Sequence, residues 1–405
     1  MKKSVFKIIL VLVLFLGISC NVNAAEKNWT VSSGITESEE VKGATYVVFS
    51  GKGEVNITKS AATYIKIAKD AEIILNLNGY TISTSDWTNV PVIENMGKLT
   101  INGSGTVVNK ANNGDWSAPV IGNHPGATLI LNGGTYTRSK NGKTTGNSGY
   151  IIKNLGSIVV NDGTNLNNGD TTKGSSLIES GWDISNSANN LEYSYDESVK
   201  TNLVINGGTF VGGKRSVTSD PGDNTVINGG TFSEGATGVL KAAGNVQING
   251  GTFIAVSGKE ILSTEGEGKI EVINGDFNQD VSTYMNADSE SVKNEDGTYS
   301  VNFVYADYSK IDEIIEKVID EGVDTYTKES ITALEKELEK VNWELGKSKQ
   351  ADVNKMIDAV TKAFNQLKKI ENPKTGDSAV IYIISAIIMI LGIGGCLIYR
   401  KKLFN

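Results

Sequence analysis

Aromatic side chains next to acids are the residues of this chain best suited to bind a sugar. Trp87 and Trp116 each follow an Asp, and each precedes a short apolar stretch, VPVIEN or APVIGN. Tyr150 stands just before the next such stretch, IIKN. Pyranose rings stack well on exposed Trp and Tyr, so this spacing predicts a binding platform. A hydrophobic flap packed on the fold is the alternative.

A second group of aromatic and acidic residues lies between Gly181 and Thr201. Loops added to a repeating fold commonly gather on its binding face, so the sequence predicts that this segment carries part of any ligand site. A self-packed or disordered surface loop is the alternative. The candidate ligand-binding residues in this segment are Trp182, Asp183, Tyr193 and Tyr195.

The ionisable residues do not form a recognisable catalytic set. His124 is the single histidine, and a lone loop histidine is usually an ordinary surface residue. The sequence therefore predicts no catalytic residue, no metal ligand set and no cofactor. A polysaccharide lyase or hydrolase is the less favoured enzyme alternative. Structural calcium could be held in turns by Asp162, Asp170, Asp220 or Asp223.

The segments that must position these residues repeat along the chain. VINGGTF at 204–210 returns at 226–232 and, as QINGGTF, at 247–253. The apolar residues before each Asn alternate as in a strand with one buried face, and Asn-Gly marks a sharp bend. A second series (VIEN, VIGN, IIKN, LIES) precedes the copies. The marker asparagines are Asn78, Asn102, Asn132, Asn161, Asn206, Asn228, Asn249 and Asn274.

Short strands that recur with like residues in register predict a parallel β-helix, in which each coil covers the apolar face of its neighbour. The expected internal ladders are structural, one of stacked rings and one of stacked Asn amides. The register holds on both sides of the long gap between Asn161 and Asn206, so the 181–201 segment is an insert within a single turn. The expected ring ladder consists of Phe210, Phe232, Phe253 and Phe277, with Tyr136.

Beyond residue 300 the apolar period changes from two to 3.6. Ile311, Ile331 and Val353 begin three amphipathic patterns separated by short loops, which predicts a three-helix bundle at 306–370. Thr327 and Ser348 are the expected N-caps of the second and third helices.

The two ends of the chain indicate export and anchoring. Residues 1–24 have a basic start, an apolar run and small residues at the expected cleavage site, as in a secretory signal peptide, with a lipoprotein signal at Cys20 as the alternative. NPKTG at 372–376 precedes an uncharged run at 379–399 that is long enough to cross a membrane, and a basic cytoplasmic tail at 400–405. The second cysteine, Cys396, lies in that run, so the mature chain is expected to have no thiol.

This C-terminal order resembles the cell-wall sorting signal of Gram-positive surface proteins, with Asn372 where Leu is usual. The resemblance implies that a sortase cleaves between Thr375 and Gly376 and joins Thr375 covalently to peptidoglycan. A single-span membrane protein is the alternative. The expected mature chain, 25–375, has 32 basic and 45 acidic residues, a charge that disfavours nucleic-acid binding.

Two further resemblances concern the domains. AEIILNLNGYTI from Ala71, GKLTINGSGTV from Gly97 and the INGGTF copies resemble the right-handed parallel β-helices of the pectate-lyase-like superfamily. This implies a β-helix at 71–300 after an N-terminal cap and first irregular turn at 25–70. YTKESITALEKELEKV and VNKMIDAVTKAFNQL resemble the FIVAR module, a helical domain of such surface proteins, which could act as a spacer or as a receptor-binding unit.

Together these features predict a secreted protein anchored in the cell wall and displayed on the surface of a Gram-positive bacterium. The favoured function is that of an adhesin, with a glycan or a host matrix protein as its ligand. A passive structural stalk is the principal alternative, because that superfamily includes stalks as well as binding proteins and enzymes.

Overall fold

The computed structural model describes residues 27–41, 45–84, 90–110, 119–138, 150–168, 176–182 and 198–370. These residues form two compact units. The first runs to Val246 and includes Gly251–Ile270, and the second comprises Gln247–Gly250 and the chain from Glu271 onward. Several predicted features lie outside the described residues, namely the ranges 1–24, 372–376, 379–399 and 400–405 and the side chains of Trp87, Trp116, Asp183, Tyr193 and Tyr195.

The first unit is a parallel β-helix, as the repeats predict. Each coil has up to three strands, numbered here in chain order, and equivalent strands of successive coils pair in parallel and in register to form three sheets. Sheet 1 consists of β5 (Tyr64–Ile67), β8 (Ile93–Asn95), β11 (Ile121–Asn123), β14 (Ile152–Asn154), β17 (Ile178–Ser180), β20 (Val217–Ser219), β23 (Gly238–Ala242) and β26 (Glu260–Thr264).

The other two sheets follow sheet 1 in each coil. Sheet 2 contains β6 (Glu72–Asn76), β9 (Lys98–Asn102), β12 (Thr128–Asn132), β15 (Ser157–Val160), β18 (Thr201–Ile205) and β21 (Asp223–Ile227), and the chain continues through β24 (Asn245–Ile248) and β27 (Lys269–Val272) at the unit boundary. Sheet 3 contains β4 (Ala61–Ala62), β7 (Thr81–Ser83), β10 (Thr106–Asn109), β13 (Gly134–Arg138), β16 (Thr164–Asn168), β19 (Thr209–Gly212), β22 (Thr231–Ser233) and β25 (Thr252–Ile254).

An antiparallel segment precedes the first regular coil. β1 (Trp29–Val31) and β2 (Ile35–Val41) both pair antiparallel with β3 (Thr45–Ile57). The first half of β3 then pairs in parallel with β5 and its second half with β6, so β3 begins both sheet 1 and sheet 2. Such a segment covers a sheet edge that would otherwise be open to other strands.

The ring ladder inside the β-helix is confirmed for three phenylalanines. Phe210 and Phe232 stack with ring centroids 4.6 Å apart, and Phe232 and Phe253 with centroids 4.7 Å apart. Tyr136 shares the column, but Leu166 lies between it and Phe210. The second Gly of INGGTF turns the chain toward this column: Gly208 has a φ of +106°, a conformation that favours glycine. The repeated motif is therefore explained by the fold.

An amide ladder at the end of sheet 2 is also confirmed, with one correction. Asn102 pairs with Asn76 and not with Asn78, because the repeat LNLNG offers two asparagines and β6 ends at the first. Asn78 instead lies in a left-handed turn (φ 52°) and donates to the Ile57 carbonyl. Nδ2–Oδ1 hydrogen bonds of 2.7–3.2 Å link Asn56, Asn76, Asn102, Asn132, Asn161, Asn206 and Asn228.

The second unit combines a small antiparallel sheet with the predicted helices. β28 (Gly275–Phe277) and β29 (Ser289–Lys293) flank β30 (Tyr299–Phe303). The helices α1 (Ser309–Glu321), α2 (Lys328–Leu338) and α3 (Gln350–Asn365) share one core of residues such as Ile311, Leu334 and Val360. Thr327 directly precedes α2, as expected, whereas Ser348 lies in a 3-10 turn before α3 and hydrogen-bonds to Asp288 instead of capping the helix.

Candidate functional site

The long connections of the β-helix all border sheet 1. From the second to the fifth coil, the segments that lead from sheet 3 into sheet 1 span 84–92, 110–120, 139–151 and 169–177. The equivalent segments of the next three coils are only 213–216, 234–237 and 255–259. The insert that the sequence predicts leaves sheet 1 after β17, at 181–200. The long connections therefore all begin or end at strands of sheet 1.

A charged column runs along the outward side of sheet 1. The middle residues of its strands pair in register, so their side chains follow one line across successive coils. Their neighbours in each strand point inward and form the apolar and amide core. In chain order this line contains Lys66, Glu94, Gly122, Lys153, Glu179 and Thr218.

Lys153 is the centre of this column. Its side chain is 1% exposed, and its Nζ lies 2.9 Å from Glu179 Oε1 and 3.5 Å from Asp220 Oδ2. Glu179 is its register partner on the next coil, and Asp220 directly follows β20, one coil further. A buried ammonium group is stable only beside compensating charge, which the two carboxylates supply. The three side chains are called the Lys153 cluster below.

His124 lies in the same face, contrary to the prediction of an ordinary surface residue. It follows β11 and is 4% exposed, and its Nε2 is 3.1 Å from Glu94 Oε1. Lys66 approaches Glu94 from the other side, at 3.5 Å. Burial alone would raise the pKa of Glu94, but His124 and Lys66 together outweigh it and lower that pKa. His124, which follows β11, and Asp220, which follows β20, thus belong to the charged face, although neither residue lies in the repeated strand motifs of the sequence.

Two predicted ligand-binding aromatics are buried. Tyr150 is 2% exposed, and its ring lies over Lys153 with Nζ 5.5 Å from the centroid. Trp182 is 1% exposed and packs with Leu155 and Val199. A ring needs an open face to stack on a sugar. Neither ring has such an open face in the structure, so Tyr150 and Trp182 do not support the predicted ligand contact.

A second ladder, fully buried, runs under this face at the ends of the sheet 1 strands. Each Asn amide donates to the next coil: Asn95 to Asn123 at 2.7 Å, Asn123 to Asn154 at 2.8 Å, and Asn154 to the Ser180 hydroxyl at 2.8 Å. Ser180 then donates to Asp223 Oδ1 at 2.7 Å. Because every donor points the same way, the ladder ends on a group that only accepts.

Asp223 is that acceptor, and it accepts four hydroxyl hydrogen bonds at 2.6–2.8 Å, from Ser180, Thr201, Ser219 and Thr225. Burial raises the pKa of Asp223, and the four hydroxyls oppose that shift without cancelling it. Two of the four acids proposed as calcium ligands, Asp220 and Asp223, thus hold protein partners. Asp162 lies exposed in a turn, and Asp170 is outside the described residues. Among the described residues, no three side chains of metal-ligating type converge.

The arrangement offers a buried amine beside two carboxylates, a set that can exchange protons and tie neighbouring coils together. The chain matches no protein-family model, and comparisons with curated proteins and with solved structures find no match. No helix among the described residues has the length and apolar composition needed to cross a bilayer, and the predicted span at 379–399 lies outside them.

Proposed function

We propose that this protein is a cell-wall-anchored surface protein that uses the sheet 1 side of its β-helix to bind a glycan or a host matrix protein. The observation that carries the proposal is the placement of all the long connections at the borders of sheet 1. Elongated scaffolds commonly concentrate loop length, and hence ligand contacts, on one face. Trp87 and Trp116 belong to two of these connections and remain the proposed stacking residues.

The other parts of the proposal rest on sequence. The signal peptide, NPKTG and the following apolar run support export and attachment through Thr375 by a sortase. The resemblance of 306–370 to FIVAR modules supports a role in spacing the β-helix away from the wall. No cofactor is proposed.

A passive stalk is the second candidate, favoured by one observation. The ionisable groups at the centre of the sheet 1 face are paired with one another and covered, as structural groups are. The same observation gives the polysaccharide-active enzyme less support than either, because a general acid or base must reach its substrate.

A binding screen tests the proposal. Residues 25–371 would be measured against glycans, wall polysaccharides and matrix proteins, with and without calcium. We expect a ligand whose affinity falls at least tenfold in the Trp87→Ala, Trp116→Ala double variant. Tyr80→Ala is the matched control, because Tyr80 is an exposed aromatic between sheets 2 and 3. An all-negative screen would favour the stalk, and binding unchanged in the double variant would remove the platform.

Anchoring is tested separately on bacteria. Mass spectrometry of the protein released by wall digestion should find peptides that end at Thr375 and carry peptidoglycan fragments. Peptides that retain Phe404 and Asn405 on wall-associated protein would contradict sortase cleavage.

A further inference from the structure

The Lys153 cluster brings the parts of an amide-forming reaction together. The Nζ of Lys153 is the nucleophile, and it lies 3.5 Å from Oδ2 of the Asp220 carboxyl, the electrophile, and 2.9 Å from Oε1 of Glu179. The side chains of Glu179 and Asp220 are only 10% and 12% exposed. Three successive coils therefore contribute one group each to a site nearly closed to bulk water.

The reactive forms of the amine and the carboxyl are the neutral ones. An ammonium and a carboxylate that lose their hydration are stabilised if a proton moves between them, leaving a neutral amine and a neutral acid. The neutral amine is a nucleophile, and the neutral carboxyl can lose water. Holding the amine and the carboxyl in contact within one fold raises their effective concentration above that of free groups in solution. Condensation also replaces a buried ion pair with a neutral amide.

We propose that Lys153 and Asp220 join in an intramolecular isopeptide bond, with Glu179 as the proton carrier. A proton first passes from the Lys153 ammonium to the Asp220 carboxylate. Nζ then attacks Cγ of Asp220 and gives a proton to Glu179, which passes it to the departing hydroxyl. One N–C bond forms, one C–O bond breaks, and one water leaves. Glu179 returns to its carboxylate form, and no oxidant, metal or cofactor is consumed.

The bond would fasten the β-helix where its coil is longest. It joins β14 to the residue that follows β20, and so closes the segment 153–220, which contains the long connection at 181–200. A covalent link across such a segment reduces the freedom of the unfolded chain, as a disulfide does, and the chain has only Cys20 and Cys396 for disulfides. The inference is independent of the proposed ligand.

Peptide mass spectrometry of the full chain tests the bond. Trypsin cannot cleave after an acylated lysine, so the peptide containing Lys153 should remain joined to the peptide containing Asp220. The joined species should weigh one water less than the two peptides together. Full recovery of separate peptides, with cleavage after Lys153, would overturn the proposal and leave an ion pair.

Variants of the Lys153 cluster test the role of each residue in bond formation. Glu179→Gln keeps the amine and the Asp220 carboxyl but removes the proton carrier, so the joined species should fall at least tenfold, while Lys153→Ala and Asp220→Ala should abolish it. Lys66→Ala, in the same column but outside the cluster, should form the bond as the unaltered chain does. Each variant is scored only if its circular dichroism matches that of the parent. Bond formation at the parent level in Glu179→Gln would remove Glu179 from the reaction.

Discussion

Sheets 1 and 2 are built on the same coils but differ in how far their polar groups are exposed. On sheet 2, ion pairs such as Lys98–Glu72 and the Asn ladder from Asn132 onward are exposed. On sheet 1, the Lys153 cluster and the ladder from Asn95 to Asp223 are covered. When a substitution removes the partner of an exposed polar group, water replaces that partner at little cost. A covered polar group is instead left without any partner. Similar hydrogen bonds should therefore matter far more on sheet 1.

The largest difference is expected between two lysines. Lys153→Met leaves Glu179 and Asp220 buried without their cation, which should lower the free energy of unfolding by about 3–5 kcal/mol. Lys98→Met removes an exposed pair on sheet 2 and should cause no measurable change. Urea denaturation followed by circular dichroism compares the two. Equal effects would contradict the distinction between the two sides.

The two ladders allow a comparison within one coil. Asn123→Ala removes a link of the buried ladder and should lower the free energy of unfolding by about 2–4 kcal/mol, because Asn95 and Asn154 both lose a partner. Asn132→Ala removes a link of the exposed ladder and should lower it by about 0.5–1 kcal/mol. Thermal denaturation of both variants provides the measurement. A larger loss for Asn132→Ala would reverse the account of the ladders.

Asp223, at the end of the buried ladder, should make the free energy of unfolding depend on pH. Because burial raises the pKa of Asp223, the folded chain keeps a proton that the unfolded chain has already released above the ordinary value of 3.8. The stability from this proton is fully present below that value and is lost as pH rises through the raised pKa. Asp223→Asn cannot titrate, so the unfolding free energy of the parent minus that of the variant should decrease over this interval. A difference that stays constant or grows with pH would show that the pKa of Asp223 is not raised.

The sequence predicted the fold because its strongest signal comes from the columns themselves. INGGTF repeats since the same bend and the same ring position recur in each coil, so the spacing of the motif is enough to align Phe210, Phe232 and Phe253. Asn78 was wrongly predicted as the ladder residue because LNLNG contains two asparagines and only strand pairing distinguishes them. The helices were equally predictable from their apolar period. The N-cap predicted at Ser348 was wrong because Ser348 hydrogen-bonds to Asp288, a partner that the helix pattern alone does not reveal.

The charged face was harder to predict because it depends on burial and on residues outside the columns. Lys153 and Glu179 occupy the outward positions of IIKN and LIES, but outward usually means exposed, and both are covered. His124 and Asp220 follow the strand ends in GNH and SDP, two residues after Gly122 and Thr218 of the outward column, so the alternation of a strand extended by one residue would have placed both on this face. Tyr150 was assigned to a surface platform and Trp182 to the ligand site of the insert on residue type, yet residue type does not determine whether a ring is exposed or covered.

Selective acylation of lysines in the folded protein tests the central contrast most directly. An amine-reactive ester would be applied briefly to the native chain, and the modified lysines identified by mass spectrometry. Lys98, whose side chain is 51% exposed, should react at the rate of an ordinary surface lysine, and Lys153, at 1%, should stay unmodified in the native chain. Modification of Lys153 and Lys98 at comparable rates in the native chain would contradict the buried charged face of sheet 1.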